Sequence, residues 1–339
     1  MSTAAMEVVP SGIYLKSCLA PFAPALRRPD VTDIYVNRPG ELWIETLGGA
    51  IERQEDPALN ELVLARLARQ IAALTHQGVS REHPLLAATL PDGSRIQVVA
   101  PPATRGPFAL AIRRQVAASL TLQDYAAGGH FAATKTSASR GPDDEGLRQL
   151  VTQFRFVEAL ALAVRTRKNI VVSGGTSSGK TTFLNALLRE VPSDERLILI
   201  EDTPELNVHH DNSIGLVSVR GELGEARVTT NDLVSAALRM RPDRIVLGEL
   251  RGPEAFAFLR AVNSGHPGSM TTIHADSPQS AIEQLVMLVL HSGTRLSRAD
   301  VRCYVEDSVD VFVQLDRGGG KRMIRSVVLA EPRTAIDRS

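Results

Sequence analysis

The sequence is poor in aromatic residues and cysteine, and it has no net charge. Phe, Trp and Tyr make up only 4% of the 339 residues, and 38 basic residues are balanced by 38 acidic ones. A channel for single-stranded nucleic acid needs a basic groove with aromatic stacking platforms, so this composition argues against that class of protein. The two cysteines, Cys18 and Cys303, lie far apart, which excludes a four-cysteine zinc site and favours a reducing compartment.

Long apolar runs are also missing. No stretch approaches the ~20 apolar residues that a membrane span requires. The first residues lack a basic start and include Pro10 and Lys16, so they do not resemble a signal peptide. We therefore expect a cytoplasmic protein, for which peripheral attachment to a membrane complex stays open. What is present, 43% hydrophobic and 22% charged residues, is ordinary for a globular chain, and this length favours two domains.

Residues 1–126 are predicted to form an α+β domain. VTDIYVN, the turn RPG and ELWIET predict a β-hairpin, a second hairpin is expected around the turn at residues 91–93, and ALAIRRQ resembles another strand. Asp56 followed by Pro57 is a good helix start, and apolar residues follow on one helical face at positions 59, 63, 67, 71 and 74. Nothing in this region signals catalysis of its own.

Residues 127–148 lack hydrophobic periodicity and are rich in Gly, Ala, Ser and charged residues. We predict a linker that lets two domains rearrange or pack against different subunits, with a surface loop as the alternative. Residues 149–339 then alternate β and α signals, which is typical of a three-layer α/β domain with a mostly parallel sheet. DVFVQLDRGGGKRMIRSVVLAE predicts a closing hairpin that turns at residues 318–320.

A phosphate-binding loop is predicted at SGGTSSGKTT, residues 173–182. The string fits G-x-x-x-x-G-K-[ST] and lies between the apolar strand NIVV and a helix that ends before Pro192. Successive N–H groups and the helix N-terminus make such a loop an anion site. Lys180 is expected to reach the β- and γ-phosphates of a nucleoside triphosphate, and the Thr181 hydroxyl to ligate Mg²⁺. The nucleotide-binding set is Gly174, Gly175, Thr176, Ser177, Ser178, Gly179, Lys180, Thr181 and Thr182.

Two predicted strands end in acidic residues, at the edge where open α/β sheets bind ligands. RIVLGELRG carries Glu249, and LILIEDTPE carries Glu201, Asp202 and Glu205. We expect Glu249 to contact Mg²⁺ directly or through water, and Glu201 to polarise the attacking water. The sequence shows no distances, so which carboxylate takes which role stays open. Many phosphate-loop ATPases have an aspartate before the glutamate, whereas this chain has Gly248.

The stretch SGHPGSMTTIHADSP contains His266 and His274 around a turn and a strand rich in Gly, Ser and Thr. A zinc site would need more ligands at suitable spacing, and residues 209–211 (HHD) supply no such pattern. Metals other than Mg²⁺ are therefore not expected. The functional alternative to a structural role for these histidines is a hydrogen bond to the γ-phosphate.

In combination, these motifs resemble the secretion-ATPase superfamily. GGTSSGKTT, IEDTPEL, LRMRPDRIVLGELRGPEA and SGHPGSMTTIHA follow one another in the order phosphate loop, Asp box, variant Walker B and His box. VNRPGELW and LPDGSRIQVVAPPA are similar to the N-terminal regions of the VirB-type hexameric traffic ATPases of type IV secretion. The resemblance covers roughly residues 10–332.

The resemblance implies a RecA-like C-terminal domain behind the α+β domain, with ATP between the two domains. It makes Glu201 and Asp202 the Asp-box acids, Glu249 the Walker B acid and His274 the His-box residue. The role of His266 stays open. Arginines of the N-terminal domain would neutralise the terminal phosphate. Their matches here are Arg95 and Arg113, with Arg105, Arg114, Arg239 and Arg251 as weaker candidates.

The same resemblance implies a function and a set of partners. A homohexameric ring would hydrolyse ATP to power assembly of, or substrate transfer through, a type IV secretion or conjugation system. Its partners would be inner-membrane channel components and a coupling protein, at the cytoplasmic face of the inner membrane. Three alternatives remain: a type II secretion or type IV pilus assembly ATPase, a RecA-like nucleic-acid translocase, and a scaffold that binds ATP without turnover. Many ATPases of the first kind carry a four-cysteine module, which this chain lacks.

Overall fold

The computed structural model describes residues 12–114, 142–207, 209–219, 225–318 and 321–330, together with Gln123 and Ala127. These residues form a six-stranded and a seven-stranded sheet. Residues 128–141, which make up most of the predicted linker, lie outside the described part of the chain. No helix among the described residues is long and apolar enough to cross a membrane.

The six-stranded sheet belongs to the predicted α+β region. Its neighbouring strands are antiparallel and confirm both predicted hairpins and the ALAIRRQ strand. Tyr35 faces Trp43 across the first hairpin. The strands are β1 (Val31–Val36), β2 (Glu41–Thr46), β3 (Ile51–Glu55), β4 (Leu85–Thr89), β5 (Arg95–Val99) and β6 (Ala109–Arg113), in the order β3-β2-β1-β6-β5-β4. One face packs against the helices α1 (Gly12–Cys18), α2 (Ala23–Arg27) and α3 (Glu61–Leu74).

Helix α3 begins at Glu61 rather than at Pro57, so its predicted start is wrong. Asn60 is the N-cap, and its side-chain oxygen accepts a hydrogen bond from the Val63 amide at 3.1 Å. Asp56 instead closes the preceding turn by accepting from the Ala58 amide at 2.9 Å. Both residues are good caps, and residue type alone does not decide between them.

The seven-stranded sheet is parallel apart from its final hairpin, β12–β13. The tip of that hairpin, residues 319 and 320, lies outside the described residues. Its strands are β7 (Ile170–Gly174), β8 (Leu197–Glu201), β9 (Ser213–Val217), β10 (Arg244–Leu250), β11 (Met270–Ile273), β12 (Val311–Gly318) and β13 (Lys321–Leu329), in the order β13-β12-β7-β11-β10-β8-β9.

Helices cover both faces of this sheet, as parallel strands require. Along β8, Leu197 and Leu199 join one apolar cluster, and Ile198 and Ile200 join the other, so successive residues point to opposite layers. The result is the predicted three-layer α/β arrangement. One layer holds α4 (Pro142–Thr152), α5 (Phe156–Arg165) and α6 (Lys180–Leu188), and the other holds α7 (Thr230–Ala237), α8 (Glu254–Asn263), α9 (Pro278–His291) and α10 (Arg298–Ser308).

Helix α4 covers residues 142–148, which the sequence analysis assigned to the linker. Pro142 and the acidic residues after it are a favourable first turn of a helix, and Leu147 is buried in the cluster beneath α5 and α6. This stretch is mostly polar, with Leu147 as its buried apolar residue, so hydrophobic periodicity did not reveal the helix. A linker therefore ends no later than residue 141.

The second face of the six-stranded sheet packs against the α/β region, and Arg196 lies between them. Tyr35 and Trp43 belong to the same apolar cluster as β8 and β9. The fully buried Arg196 guanidinium lies 4.1 Å from the centre of the Tyr35 ring, and its Nη1 donates to Asn37 Oδ1 at 2.6 Å and to Asn212 Oδ1 at 2.5 Å. Burial lowers the pKa of Arg196 to about 10. Asn37 Nδ2 also donates to Asn212 Oδ1 at 3.0 Å, so the two sheets share a buried polar cluster inside a largely apolar interface.

A second buried arginine, Arg244, is expected to contribute to the stability of the α/β region. Arg244 is 0% exposed, and it donates to both Glu195 oxygens at 2.5 and 2.9 Å and to the Val164 carbonyl at 2.7 Å. Glu195→Ala leaves that charge buried without its carboxylate, so urea denaturation should show a loss of about 3–5 kcal/mol in the free energy of unfolding. Arg165→Ala, which removes the exposed Arg165–Glu190 pair, is the control and should cost less than about 1 kcal/mol. Equal losses for both variants would contradict this account.

Candidate active site

The phosphate loop connects β7 to α6 at the carboxyl edge of the parallel sheet. Ser177 (φ 60°) and Gly179 (φ 94°) have left-handed backbone conformations, which turn the chain so that α6 begins at Lys180. Gly174 is required for a different reason. A Cβ there would lie 2.9 Å from the carbonyl oxygen of Leu315, where β12 passes alongside β7. The glycines of the motif therefore allow a loop whose amides, together with the N-terminus of α6, can bind an anion.

A cavity of about 490 Å³ lies over this loop. It brings together most of the predicted site residues, which come from the ends of β7, β8, β10 and β11. These are residues 176–182, Glu201, Asp202, Glu249 and His274. Arg251, one of the weaker sequence candidates, also lines the cavity, as do Thr272 and Arg322.

Lys180 is held inside the loop. Its Nζ donates to the carbonyl oxygens of Gly174 at 2.9 Å and Gly175 at 3.2 Å, and it lies 3.8 Å from Glu249 Oε1. The side chain is 11% exposed. The ammonium group therefore faces Glu249 across the floor of the cavity.

Glu249 belongs to a small charged network at the end of β10. Arg251 pairs with Glu249 and donates from Nη1 to Asp202 Oδ2 at 3.1 Å. Thr272 Oγ1 donates to the Gly248 carbonyl at 2.7 Å and so fixes the ends of β10 and β11 relative to each other. Because Arg251 is 53% exposed, it can turn toward an anionic ligand without disturbing the core.

Glu201 is buried at the end of β8, where it also lines the cavity. Its Oε1 accepts from the backbone N–H groups of Glu205 and Leu206, both at 2.8 Å, and its Oε2 pairs with Arg105. Each carboxylate oxygen has two lone pairs, so these contacts do not exclude a water, and the role of Glu201 in polarising water stays a prediction. Glu201 also fixes the turn at residues 201–206 through these amides, and Glu249 is the more exposed of the two acids.

The two histidines of the His box lie at different sites. His274 lines the phosphate-loop cavity. His266 lines a separate cavity with Arg113 and Arg241, and its Nδ1 is 3.1 Å from the Ala261 carbonyl oxygen. Burial lowers the pKa of His266, which favours the neutral ring. The structure therefore supports a structural role for His266 and leaves His274 as the histidine at the site.

Arg95 and Arg113 do not line the cavity of their own chain, contrary to the simplest form of the prediction. They face each other on β5 and β6 and are both exposed, and Arg113 lines the cavity that contains His266. Arg114 is structural, because it donates to the Val31 carbonyl at 3.0 Å. The N-terminal arginine that reaches the site is Arg105, through its pair with Glu201.

Arg322 is a cavity residue that the sequence analysis missed. It lies on β13, and its Cδ is 3.0 Å from where a Cβ at Gly179 would be, so it passes directly over the phosphate loop. No local motif marks it. Its position follows from the strand order β13-β12-β7, which no pattern within the last hairpin reveals.

The residues present fit a Mg²⁺-nucleotide better than a metal caged by protein. Among the described residues, no group of three or more His, Cys, Asp or Glu side chains could hold a metal ion. Mg²⁺ is usually bound through one or two protein oxygens together with phosphates and water, and Thr181 and Glu249 offer such oxygens at the cavity. The Ser178 hydroxyl is buried and has no hydrogen-bond partner in the described part of the chain, which suits an anion-binding loop.

Comparisons with known proteins identify the family of this chain. The sequence model of the family described as "Type II/IV secretion system protein" matches residues 144–317. Type IV secretion system protein VirB11 of Bartonella henselae is 37% identical over 324 residues, which cover 91% of each chain. Type IV secretion system protein PtlH of Bordetella pertussis is 39% identical over 313 residues, which cover 90% of this chain and 91% of PtlH.

A solved structure supports the same assignment. The VirB11 ATPase from the Brucella suis type IV secretion system, crystallised in complex with sulphate, superposes with a TM-score of 0.88 at 37% identity, over 93% of this chain and 97% of that one. The match confirms an N-terminal domain followed by a RecA-like ATPase domain, and the relatives favour the type IV secretion branch over the pilus and translocase alternatives. The chain belongs to the type II/IV secretion system protein family and is a relative of its VirB11 ATPases.

Proposed function

We propose that this chain hydrolyses ATP with Mg²⁺, as a homohexameric ring, and that turnover powers a type IV secretion system. The observation that carries the proposal is the arrangement at the cavity floor, where Lys180 Nζ is held by two loop carbonyls 3.8 Å from Glu249. Phosphoryl transfer needs this combination of a cation at the outer phosphates and a carboxylate beside them.

The residues of the cavity have different roles in this proposal. The amides of residues 174–182 bind the phosphates, and Lys180 neutralises charge on their outer oxygens. Arg251 and Arg322 add positive charge at the rim. Thr181 and Glu249 would hold Mg²⁺, which supplies charge neutralisation on the phosphate oxygens. When Arg251 turns to the ligand, Glu249 is released to serve Mg²⁺. Glu201 is the candidate for polarising the attacking water, and His274 lies where it can contact the terminal phosphate.

The secretion role comes from the relatives. VirB11 and PtlH are named as type IV secretion system proteins. By that likeness the ring would act at the cytoplasmic face of the inner membrane, with channel components and a coupling protein as its partners. Hydrolysis would do work if ATP binds one arrangement of the two domains better than another, because a ligand shifts a conformational equilibrium only by its difference in affinity.

The first test removes the cation of the loop. Lys180→Ala should lower ATP turnover by about 100-fold or more, because a preorganised group that stabilises transition-state charge is lost. Steady-state phosphate release measures the rate. Lys168→Ala is the matched control, since Lys168 pairs with Asp144 away from the cavity and should leave turnover unchanged. Wild-type turnover in Lys180→Ala would show that the site is wrongly assigned.

The second test concerns the ring. Native mass spectrometry with a nonhydrolysable ATP analogue should show a species of six times the mass of the chain. The expectation follows from the VirB-type resemblance and from the need for a second subunit to bring Arg95 or Arg113 to a nucleotide. A monomer at every protein concentration, with and without nucleotide, would exclude the ring.

The third test asks whether Arg95 and Arg113 act across a subunit boundary. Arg95→Ala or Arg113→Ala should lower turnover by about tenfold or more with little change in nucleotide affinity, because the lost charge acts on the transition state. Arg66→Ala, on the exposed side of α3, is the control.

Mixed rings sharpen this test. Subunits with Lys180→Ala and subunits with Arg113→Ala should regain part of the activity when mixed, since some boundaries then carry both native residues. Wild-type rates in the single arginine variants would dismiss these residues. Failure of the mixture to recover activity would restrict Arg113 to its own subunit.

A further inference from the structure

The connection between β5 and β6 pairs with the edge of the seven-stranded sheet. The Arg105 amide donates to the Gly215 carbonyl at 2.9 Å, and the Val217 amide donates to the Ala103 carbonyl at 2.9 Å. Between them, Thr104 forms an antiparallel bridge with Leu216. β9 is the outer strand of the seven-stranded sheet, and its free edge would otherwise leave backbone N–H and C=O groups unpaired. Residues 103–105 of the N-terminal region cover part of that edge.

Gly215 opens a path for the Arg105 side chain across β9. A Cβ at Gly215 would lie 2.2 Å from Arg105 Cδ, far inside contact distance. The Gly215 backbone is not in the left-handed region, so space, and not conformation, is what requires glycine here. Through this gap Arg105 pairs with Glu201 and donates from Nη1 to the Leu206 carbonyl at 2.9 Å. Burial lowers the pKa of Arg105, and Glu201 supplies an opposite charge beside the half-buried guanidinium.

The contacts continue from Glu201 to the phosphate-loop helix. Glu201 fixes the turn at residues 201–206 through the amides of Glu205 and Leu206. Asn185 on α6 holds the same turn from the other side, accepting from the Asn207 amide at 2.7 Å and donating to the Glu205 carbonyl at 3.2 Å. Asp202 and Thr203, which line the cavity, lie within this turn.

We propose that Arg105 is a positioning residue for the ATP hydrolysis proposed above, on which this inference rests. It orients Glu201 and the turn at residues 201–206, and so makes the cavity wall dependent on the docking of residues 103–105. Arg105 does not line the cavity itself, so its contribution passes through Glu201.

Two variants remove the same contact by different routes. Arg105→Ala deletes the guanidinium, and Gly215→Ala keeps it but fills the gap it passes through. Each should lower kcat by about tenfold, the scale seen when a residue that orients a site residue is removed, with nucleotide affinity nearly unchanged. The double variant should be no slower than the slower single variant, because both changes break one interaction.

Matched controls separate positioning from general damage. Gly78→Ala adds a methyl group where no atom lies within 4 Å, and Arg81→Ala removes the exposed Arg81–Glu225 pair between the same two regions. Both should retain wild-type turnover. Arg105→Lys, which keeps the charge, should recover part of the rate that Arg105→Ala loses.

Hydrogen exchange measures how firmly the turn at residues 201–206 is held, and it does not depend on ATP turnover. The amides of Glu205 and Leu206 should exchange faster in Arg105→Ala and Gly215→Ala than in wild type, since Glu201 no longer holds them. Unchanged exchange would overturn the inference, as would additive losses of kcat in the double variant. Wild-type turnover in both single variants, with Lys180→Ala inactive, would also overturn it while leaving the proposed function standing. Full activity in Lys180→Ala would instead remove the proposed function.

Discussion

The burial of one guanidinium group, that of Arg196, underlies the arrangement of the whole chain. It lies between the two sheets, against the Tyr35 ring, and its hydrogen bonds reach Asn37 on one side and Asn212 on the other. A buried charge is tolerated only where its partners are in place, so these contacts allow few relative positions of the two sheets. At the same interface, residues 103–105 lie against β9 and Arg105 pairs with Glu201.

The candidate active site depends on strand order. Four parallel neighbours, β7, β11, β10 and β8, end at the same edge, and each contributes a different group to the cavity: the phosphate loop, His274, Glu249 and the turn after Glu201. The chemistry is divided so that the accessible acid faces Lys180 while the buried acid holds the wall. Two carboxylates that look equivalent in sequence therefore have different surroundings, because Glu201 accepts from two backbone amides and Glu249 lies beside Lys180.

Local sequence patterns could predict much of the fold but only part of the candidate site. The phosphate loop, both early hairpins and the alternating α/β region depend on neighbours in the chain, and local patterns predicted them. The start of α3 was missed because Asp56 and Asn60 are equally good caps. The placement of Arg95 and Arg113, and the presence of Arg322, depend on how distant strands are ordered, and no local pattern carries that information. The gap at Gly215 exists only because another segment crosses it.

Coupling between sites is reciprocal, and this has a consequence for a motor built on these contacts. If docking of residues 103–105 tightens the turn at residues 201–206, then a nucleotide that tightens the same turn must strengthen the docking by an equal free energy. The phosphate-loop helix reaches the turn through Asn185, and the N-terminal region reaches it through Arg105, so the two inputs meet on Glu201 and its turn. A signal between nucleotide and N-terminal region therefore needs no movement of the central strands, only a change in how firmly this turn is held.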